Sequence, residues 1–441
     1  MSQGKRPGRS AWNVSMFIIS YAISNLVSGV IYDTYVNYMQ EVAYPVATSF
    51  WAFYGYATFI SAFLLLLIPS IGYKKLLLFC VSACAAALGA AIFLNSPAVF
   101  FLTTLLALVG LQLHYIMLSP FIAVFTDAEN KIRWYTRAYY LGYLGYFVTT
   151  YLGGVLTVKL FSLRAGVTYS AAKAFTEYVA DLAPDLRSAY LQGNRDVLLL
   201  TAIIAALSLI PVLLIREEKR DYCYESRLSL KTRAAEIGRA IFHRDTIVHL
   251  IYWAMINFGM GLFTSYYTVF LNRGLHIDKA TSSLLVSLSY LAIVIFLVFT
   301  PFVVKKCGQI VTLCGVSLLS IPFMLIIANG DRFGSYTIPV VGVALFLRSG
   351  LANFSSPVDS SLAMELVPSH LRPAYASAVN IVAGLASIAS GHFTGQFLFV
   401  TMEGYRTAYY IASVLYTVAC LLLMLCLWKY NRPAKKEEEN A

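Results

Sequence analysis

The sequence predicts an all-α polytopic membrane protein: twelve transmembrane helices in two parallel six-helix bundles related by a pseudo-two-fold axis. Three observations predict it. The 441 residues are 59% hydrophobic and only 12% charged, where a soluble domain carries about a quarter charged residues. The apolar residues gather into twelve runs, near 14–38, 48–69, 75–94, 97–125, 138–160, 197–215, 247–271, 281–302, 309–328, 338–365, 374–400 and 405–428. Polar landmarks of the first half recur in the second.

Each run matches the roughly 20 apolar residues a helix needs to cross about 30 Å of hydrocarbon. The runs show no period-2 alternation and are about twice the ~10 residues of a barrel strand, which excludes a barrel. The first run follows Lys5, Arg6 and Arg9. It is too long for a signal-peptide core and has no small-residue cleavage site, so it reads as a permanent span. Basic residues orient the rest: 23 of 33 Lys and Arg fall on the side of the termini, nine on the other, and Arg348 within a span. The excess places both termini in the cytoplasm of a cell (plasma or inner) membrane. The formal net charge of +11 then reflects membrane orientation, and no nucleic-acid partner is expected. None of the seven cysteines falls in an external loop and no metal-ligand spacing occurs, so neither a disulfide nor a metal site is expected. No cofactor is expected either.

The duplication is read from ordered pairs. Asn25, Gly29 and Tyr35 match Asn257, Gly261 and Tyr267 at an offset of 232; Gly72 matches Gly308 at 236. Ser119-Pro120 matches Ser356-Pro357 at 237, and Arg133 and Gly145 match Arg372 and Gly384 at 239. Each copy starts on the same side, so the copies are parallel. The organisation that follows is a tail (1–13), a first bundle (14–215) and a cytoplasmic linker (216–246), then a second bundle (247–428) and a tail (429–441). A long external loop (161–196), helical as far as Pro184, interrupts the first bundle and reads as a passive cap rather than a lid.

The stretch 348–395, "RSGLANFSSPVDSSLAMELVPSHLRPAYASAVNIVAGLASIASGHFTG", resembles the tenth and eleventh helices of the major facilitator superfamily. The resemblance extends over essentially the whole chain. It implies a secondary transporter, and it implies that Glu365 with Arg372, and Asp127 with Arg133, latch the cytoplasmic helix ends. Two departures stand out. "LLLLIPSIGYKK" keeps Gly72 and Lys74 of the family's loop motif but puts Pro69 where an aspartate belongs, and "PFVVKKCGQ" has Lys305 there. The fifth span has Thr149-Thr150 in place of the Gly-Pro of drug antiporters, which counts against a proton-coupled exporter.

In a bilayer a polar side chain needs a partner, a cavity or a function. Tyr21, Asn25, Ser28, Tyr32 and Tyr35 share one face of the first span, and Asn257, Gly261, Thr264 and Thr268 one face of the seventh. Asn25 and Asn257 both lie about 15 Å from the cytoplasmic end, as equivalent walls of one aqueous cavity. Arg348 lies near the midplane, where a guanidinium costs at least ~2.5–3.5 kcal/mol unless solvated or paired. Its planar fork suits a carboxylate or phosphate. Asn25, Tyr32, Gln112, Asn257 and Arg348 are therefore the candidate substrate-binding residues. Asp33, His114 and Asp359 are the candidate proton carriers, because buried carboxyls and histidine titrate towards neutrality. Tyr139, Tyr143 and Tyr146 form a stripe on the fifth span, suited to helix packing or to stacking on a substrate.

The expected activity is proton-coupled uptake of a small polar solute, with an anion favoured by Arg348, by a monomer in the lipid bilayer. Proton-coupled efflux of amphipathic compounds is the alternative, and a non-transporting sensor or scaffold of the same fold a third reading. With no nucleophile–base pair or phosphate loop, an enzyme is not expected.

Overall fold

The structure is a computed structural model, and it describes residues 7–431 apart from 66, 95, 127, 222–237, 239–240 and 369–371. The side chains of Arg133 and Arg372 also lie outside the described residues. The described chain is helical, with eleven helices long and apolar enough to cross a membrane and a shorter apolar one. In the first half these are α1 (Pro7–Val30), α2 (Phe50–Leu65), α3 (Tyr73–Phe93), α4 (Pro97–Phe125), α5 (Ala128–Ala165) and α6 (Pro184–Leu207). In the second they are α7 (Arg244–Gly261), α8 (Lys279–Leu297), α9 (Gln309–Ala328), α10 (Thr337–Phe354), α11 (Arg372–Phe393) and α12 (Met402–Leu427).

Each half has six crossings, so the first and last described residues and the start of α7 share one face, here the chain-end face. Across the two halves α5 packs on α8 and α2 on α11. Small residues allow this approach: a Cβ on Gly391 would overlap the backbone of Ala52, and one on Gly55 would lie 2.6 Å from the Gly384 carbonyl.

The two halves repeat at the level of backbone angles. Gly72 (φ 86°, ψ 166°) and Gly308 (φ 85°, ψ 168°) take the same conformation, one that a Cβ disfavours. Each precedes the third helix of its half, and each of those helices is capped from the end of the sixth. Glu217 accepts from the amides of Tyr73 (2.6 Å) and Lys74 (3.1 Å), while the side-chain oxygen of Asn431 accepts from the Val311 amide (3.1 Å). Burial lifts the Glu217 carboxyl above the ordinary glutamate range despite these donors. The first span of each half also contains a π-helical stretch, Ile31–Tyr35, after which α-helix resumes over Val36–Val42, and Phe270–Gly274.

Several boundaries differ from the sequence expectation. Helices α5 and α6 run into the segment 161–196 read as loop, because hydropathy stops at the bilayer surface whereas helical hydrogen bonding does not. Pro184, expected to end a helix, instead occupies the first turn of α6. Arg164 joins the extended ends through both oxygens of Asp196 (2.6 and 2.8 Å). Between them lie a short helix (Tyr169–Phe175) and a 3-10 segment (Thr176–Asp181). The tenth run, expected as one helix over 338–365, is divided at Ser355 into α10 and a helix over Ser356–Glu365 with Pro357 in its first turn.

The α2–α11 approach makes a prediction. Gly391→Val should cost about 1–3 kcal/mol by overpacking, read as a lower melting temperature in detergent. Gly89→Ala, where a Cβ meets nothing within 4 Å, should leave it unchanged.

Candidate functional site

The polar chemistry falls into three clusters. The first is near the face opposite the chain ends. The π turn that follows α1 carries Asp33, which is 1% exposed, and π turns commonly mark functional positions. Its Oδ2 accepts from Lys279 Nζ at 2.8 Å and from Ser283 Oγ at 2.9 Å, both on α8; its Oδ1 accepts from Thr268 Oγ1 beyond the break in α7. Lys279 is wholly buried. A lysine in the first turn of a helix opposes the helix dipole, and Asp33 offsets that cost from the other half of the molecule.

More links between the halves surround this pair. Glu41 receives Arg273 and also Arg187, the latter at 2.9 Å. Tyr44 donates to the Phe399 carbonyl, and Tyr266 donates to the Thr48 carbonyl at 2.8 Å. The 3-10 segment after α5 joins in: the Thr176 carbonyl accepts from Asn272 Nδ2 (2.7 Å) and its hydroxyl from the Lys279 amide (3.1 Å). These contacts seal that face.

The second cluster lies at the midplane. In the first half Gln112 Nε2 donates to the Tyr32 hydroxyl (3.2 Å), so two of the expected binding residues come together. Tyr32 packs against Tyr54 and Tyr146, Trp51 stacks on Tyr54 (4.4 Å, 7°), and Tyr146 reaches Tyr290 of the second half (4.9 Å, 28°). Tyr139 is exposed. Asn25 and Asn257 behave alike, each donating to a carbonyl four residues back, Tyr21 at 2.7 Å and Trp253 at 2.9 Å. Both are buried, at 4% and 7% exposure, and the contacts described leave them apart from Arg348. Arg348 is 3% exposed and sits among rings. Its Nη1 donates to Tyr267 (2.6 Å), its Nη2 to Tyr416 (3.3 Å), and its guanidinium carbon lies 4.5 Å from the centre of Phe263. The break in α7 after Gly261 delivers Phe263 to this position.

The third cluster belongs to the second half, towards the chain-end face. His249 is fully buried, with Nδ1 at 2.8 Å from Tyr375 Oη and Nε2 at 3.0 Å from Asp359 Oδ1. His114 lies instead inside the first bundle. Its Nδ1 meets Ser24 Oγ at 2.9 Å, and it borders a small pocket of about 10 Å³, room for about one water. Of the expected latch residues, Glu365 is exposed and accepts from Gln309 (2.8 Å). Asp127 and the side chains of Arg133 and Arg372 fall outside the described residues.

A family model described as Major Facilitator Superfamily matches residues 16–391 and 270–441. The chain belongs to this superfamily. Solved transporters of that kind share the fold. The nucleoside transporter NupG is 13% identical with a TM-score of 0.70, covering 94% of this chain and 98% of its own. A D-xylose–proton symporter is 15% identical at 0.67, covering 96% and 99%. A variant of the peptide transporter POT in complex with alafosfalin is 13% identical at 0.69, covering 98% and 100%. A search of curated proteins finds no match. A superfamily member of this kind is a multi-pass membrane transporter, built from twelve helices.

The sequence reading missed Lys279 and His249 as members of this superfamily fold's polar clusters. Lys279 stands just outside the apolar run and reads as a loop charge; the depth of Asp33 was the available hint that a cation must reach it. His249 lies within the run 247–271 and offered the same signal as His114. Asp33, a candidate proton carrier, is enclosed and ion-paired. Removing one partner of such a pair costs about 3–5 kcal/mol, whereas replacing both is tolerated. Lys279→Met should therefore lower the melting temperature of the purified protein, and Asp33→Asn with Lys279→Met should restore most of it. Likewise His249→Ala, which strands Asp359 and leaves Tyr375 only its 3.4 Å bond to the Thr246 carbonyl, should destabilise the protein more than Tyr375→Phe does.

Proposed function

We propose that this transporter takes up a small polar solute, anionic in character, driven by a proton gradient. It works by rocking its two six-helix bundles about a midplane site. The observation that carries the reading is the ion pair between Asp33, on the turn after α1, and Lys279 of α8, a buried charge interaction joining the parts that must separate. With the positive-inside orientation, the chain-end face is cytoplasmic and the sealed face is the outer one, in a cell membrane.

The proposed cycle follows from elementary electrostatics. Asp33 as a carboxylate holds Lys279, Ser283 and Thr268 and keeps the outer face shut. A proton taken onto a carboxyl oxygen removes the charge, and a neutral acid holds a buried ammonium far less strongly. The outer contacts then loosen, solute and proton enter together, and loss of the proton inwards lets the pair reform. The match in fold to a D-xylose–proton symporter supports coupling of this type. Asn25, Tyr32, Gln112, Asn257 and Arg348 are proposed to line the solute's route. Asp359 with His249 is proposed as a further proton-holding group, and His114, inside the first bundle, as a candidate apart from that route. Glu365 and Arg372, with Asp127 and Arg133, are proposed to close the cytoplasmic end, and a single chain suffices for the cycle.

Reconstitution tests this directly. Proteoliposomes with an alkaline interior should accumulate a solute from a panel of small acids and sugars above the level of protein-free liposomes. Collapse of the pH gradient should abolish the accumulation. Asp33→Asn should lose gradient-driven accumulation while exchange of solute across the membrane persists. Accumulation that ignores the gradient, or survives unchanged in Asp33→Asn, would defeat the proposal; extrusion of ethidium with no uptake of any solute would favour efflux.

A further inference from the structure

The surroundings of Arg348 do not satisfy it. Among the described residues no carboxylate pairs with it: its recorded partners are the hydroxyls of Tyr267 and Tyr416 and the face of Phe263. Its Nε is buried without a hydrogen-bond partner, and so is the hydroxyl of Tyr409 on α12, whose ring stacks with Phe263. A cation in hydrocarbon is stable only when charge and hydrogen bonds are both supplied. Two hydroxyls and a ring supply part of the second and none of the first. The unmet needs are a negative charge and acceptor oxygens.

The charge balance narrows the class. Among the described residues Asp33 is taken by Lys279 and the buried Asp359 is bonded to His249, so neither carboxylate touches Arg348, and its single positive charge has no counter-ion in contact. A monoanion cancels it, whereas a dicarboxylate or a phosphate dianion would bring a second charge with nothing opposite. The planar guanidinium edge suits the two oxygens of a carboxylate. The walls are rings: Phe263 stacks with Tyr409 (5.0 Å, 29°) and meets Tyr267 edge-on (5.7 Å, 63°), surfaces that favour an apolar or aromatic body. We propose that the Arg348 cage binds the carboxylate of a small monocarboxylate with an apolar or aromatic body, as the solute of the transport reading above, on which this inference rests.

Calorimetry on the purified full-length protein in nanodiscs tests it, with benzoate as the probe and benzamide, phenyl phosphate and succinate as comparators. Benzoate should bind at least about tenfold more tightly than each of the others, a gap of 1.4 kcal/mol or more. Arg348→Gln should abolish its binding and Arg348→Lys should weaken it. No benzoate binding, tighter binding of phenyl phosphate or succinate, or benzoate binding unchanged in Arg348→Lys would each overturn the inference. Should Arg348→Gln fail to purify as a single species, the ranking of the four probes on the unaltered protein still decides. Benzoate binding at Arg348 without protein-dependent, gradient-driven uptake would overturn the transport reading and keep the site. Gradient-driven uptake of other solutes without benzoate binding would do the reverse.

Discussion

The ion pair between Asp33 and Lys279 organises much of what surrounds it. Neither group is tolerable alone at that depth, since an unpaired buried charge costs several kilocalories per mole. Each half of the molecule therefore carries a charge that only the other half can neutralise. That mutual need holds α1 against α7 and α8 and positions Thr268 and Ser283 as supporting donors. It also accounts for the way the segment after α5 reaches across to the start of α8, where Thr176 accepts from the Lys279 amide. A static interface would gain as much from apolar packing. A charge pair differs in that one proton can weaken it.

Architecture was readable from the sequence because the bilayer makes simple demands. Long apolar runs have to be helices, and a repeated order of landmarks has to be a repeated unit. Gly72 and Gly308, matched in the sequence by spacing alone, have φ and ψ within a few degrees of each other. Where the reading fell short, the cause was polar chemistry between elements remote in sequence. No local pattern announces that Lys279 turns back to meet Asp33, or that His249 joins Asp359 and Tyr375. The expected polar face of the seventh span is likewise redistributed: the helix breaks after Gly261, sending Thr268 to Asp33 and Tyr267 to Arg348. Helix α6 began earlier than expected for a different reason, because its first turns are polar and invisible to hydropathy.

The two halves share a backbone plan but not a chemistry. At the midplane the first half presents Tyr32, Tyr54, Trp51 and Gln112, a neutral aromatic surface. The second presents Arg348 within its own rings. The matched asparagines 25 and 257 keep the same intrahelical bond in both halves, while the residues around them differ. An asymmetric solute, charged at one end, is better served by such unequal walls than by identical ones.

The caps on α3 and α9 carry a mechanical implication. Glu217 and Asn431, each just beyond the last helix of its half, clasp the helix that follows the glycine turn. Every half is thus fastened tail to middle, like a strap buckled back on itself. Fanning the third helix of a half away from its sixth at the chain-end face would first have to break these bonds, so the buckle favours movement of each half as one piece.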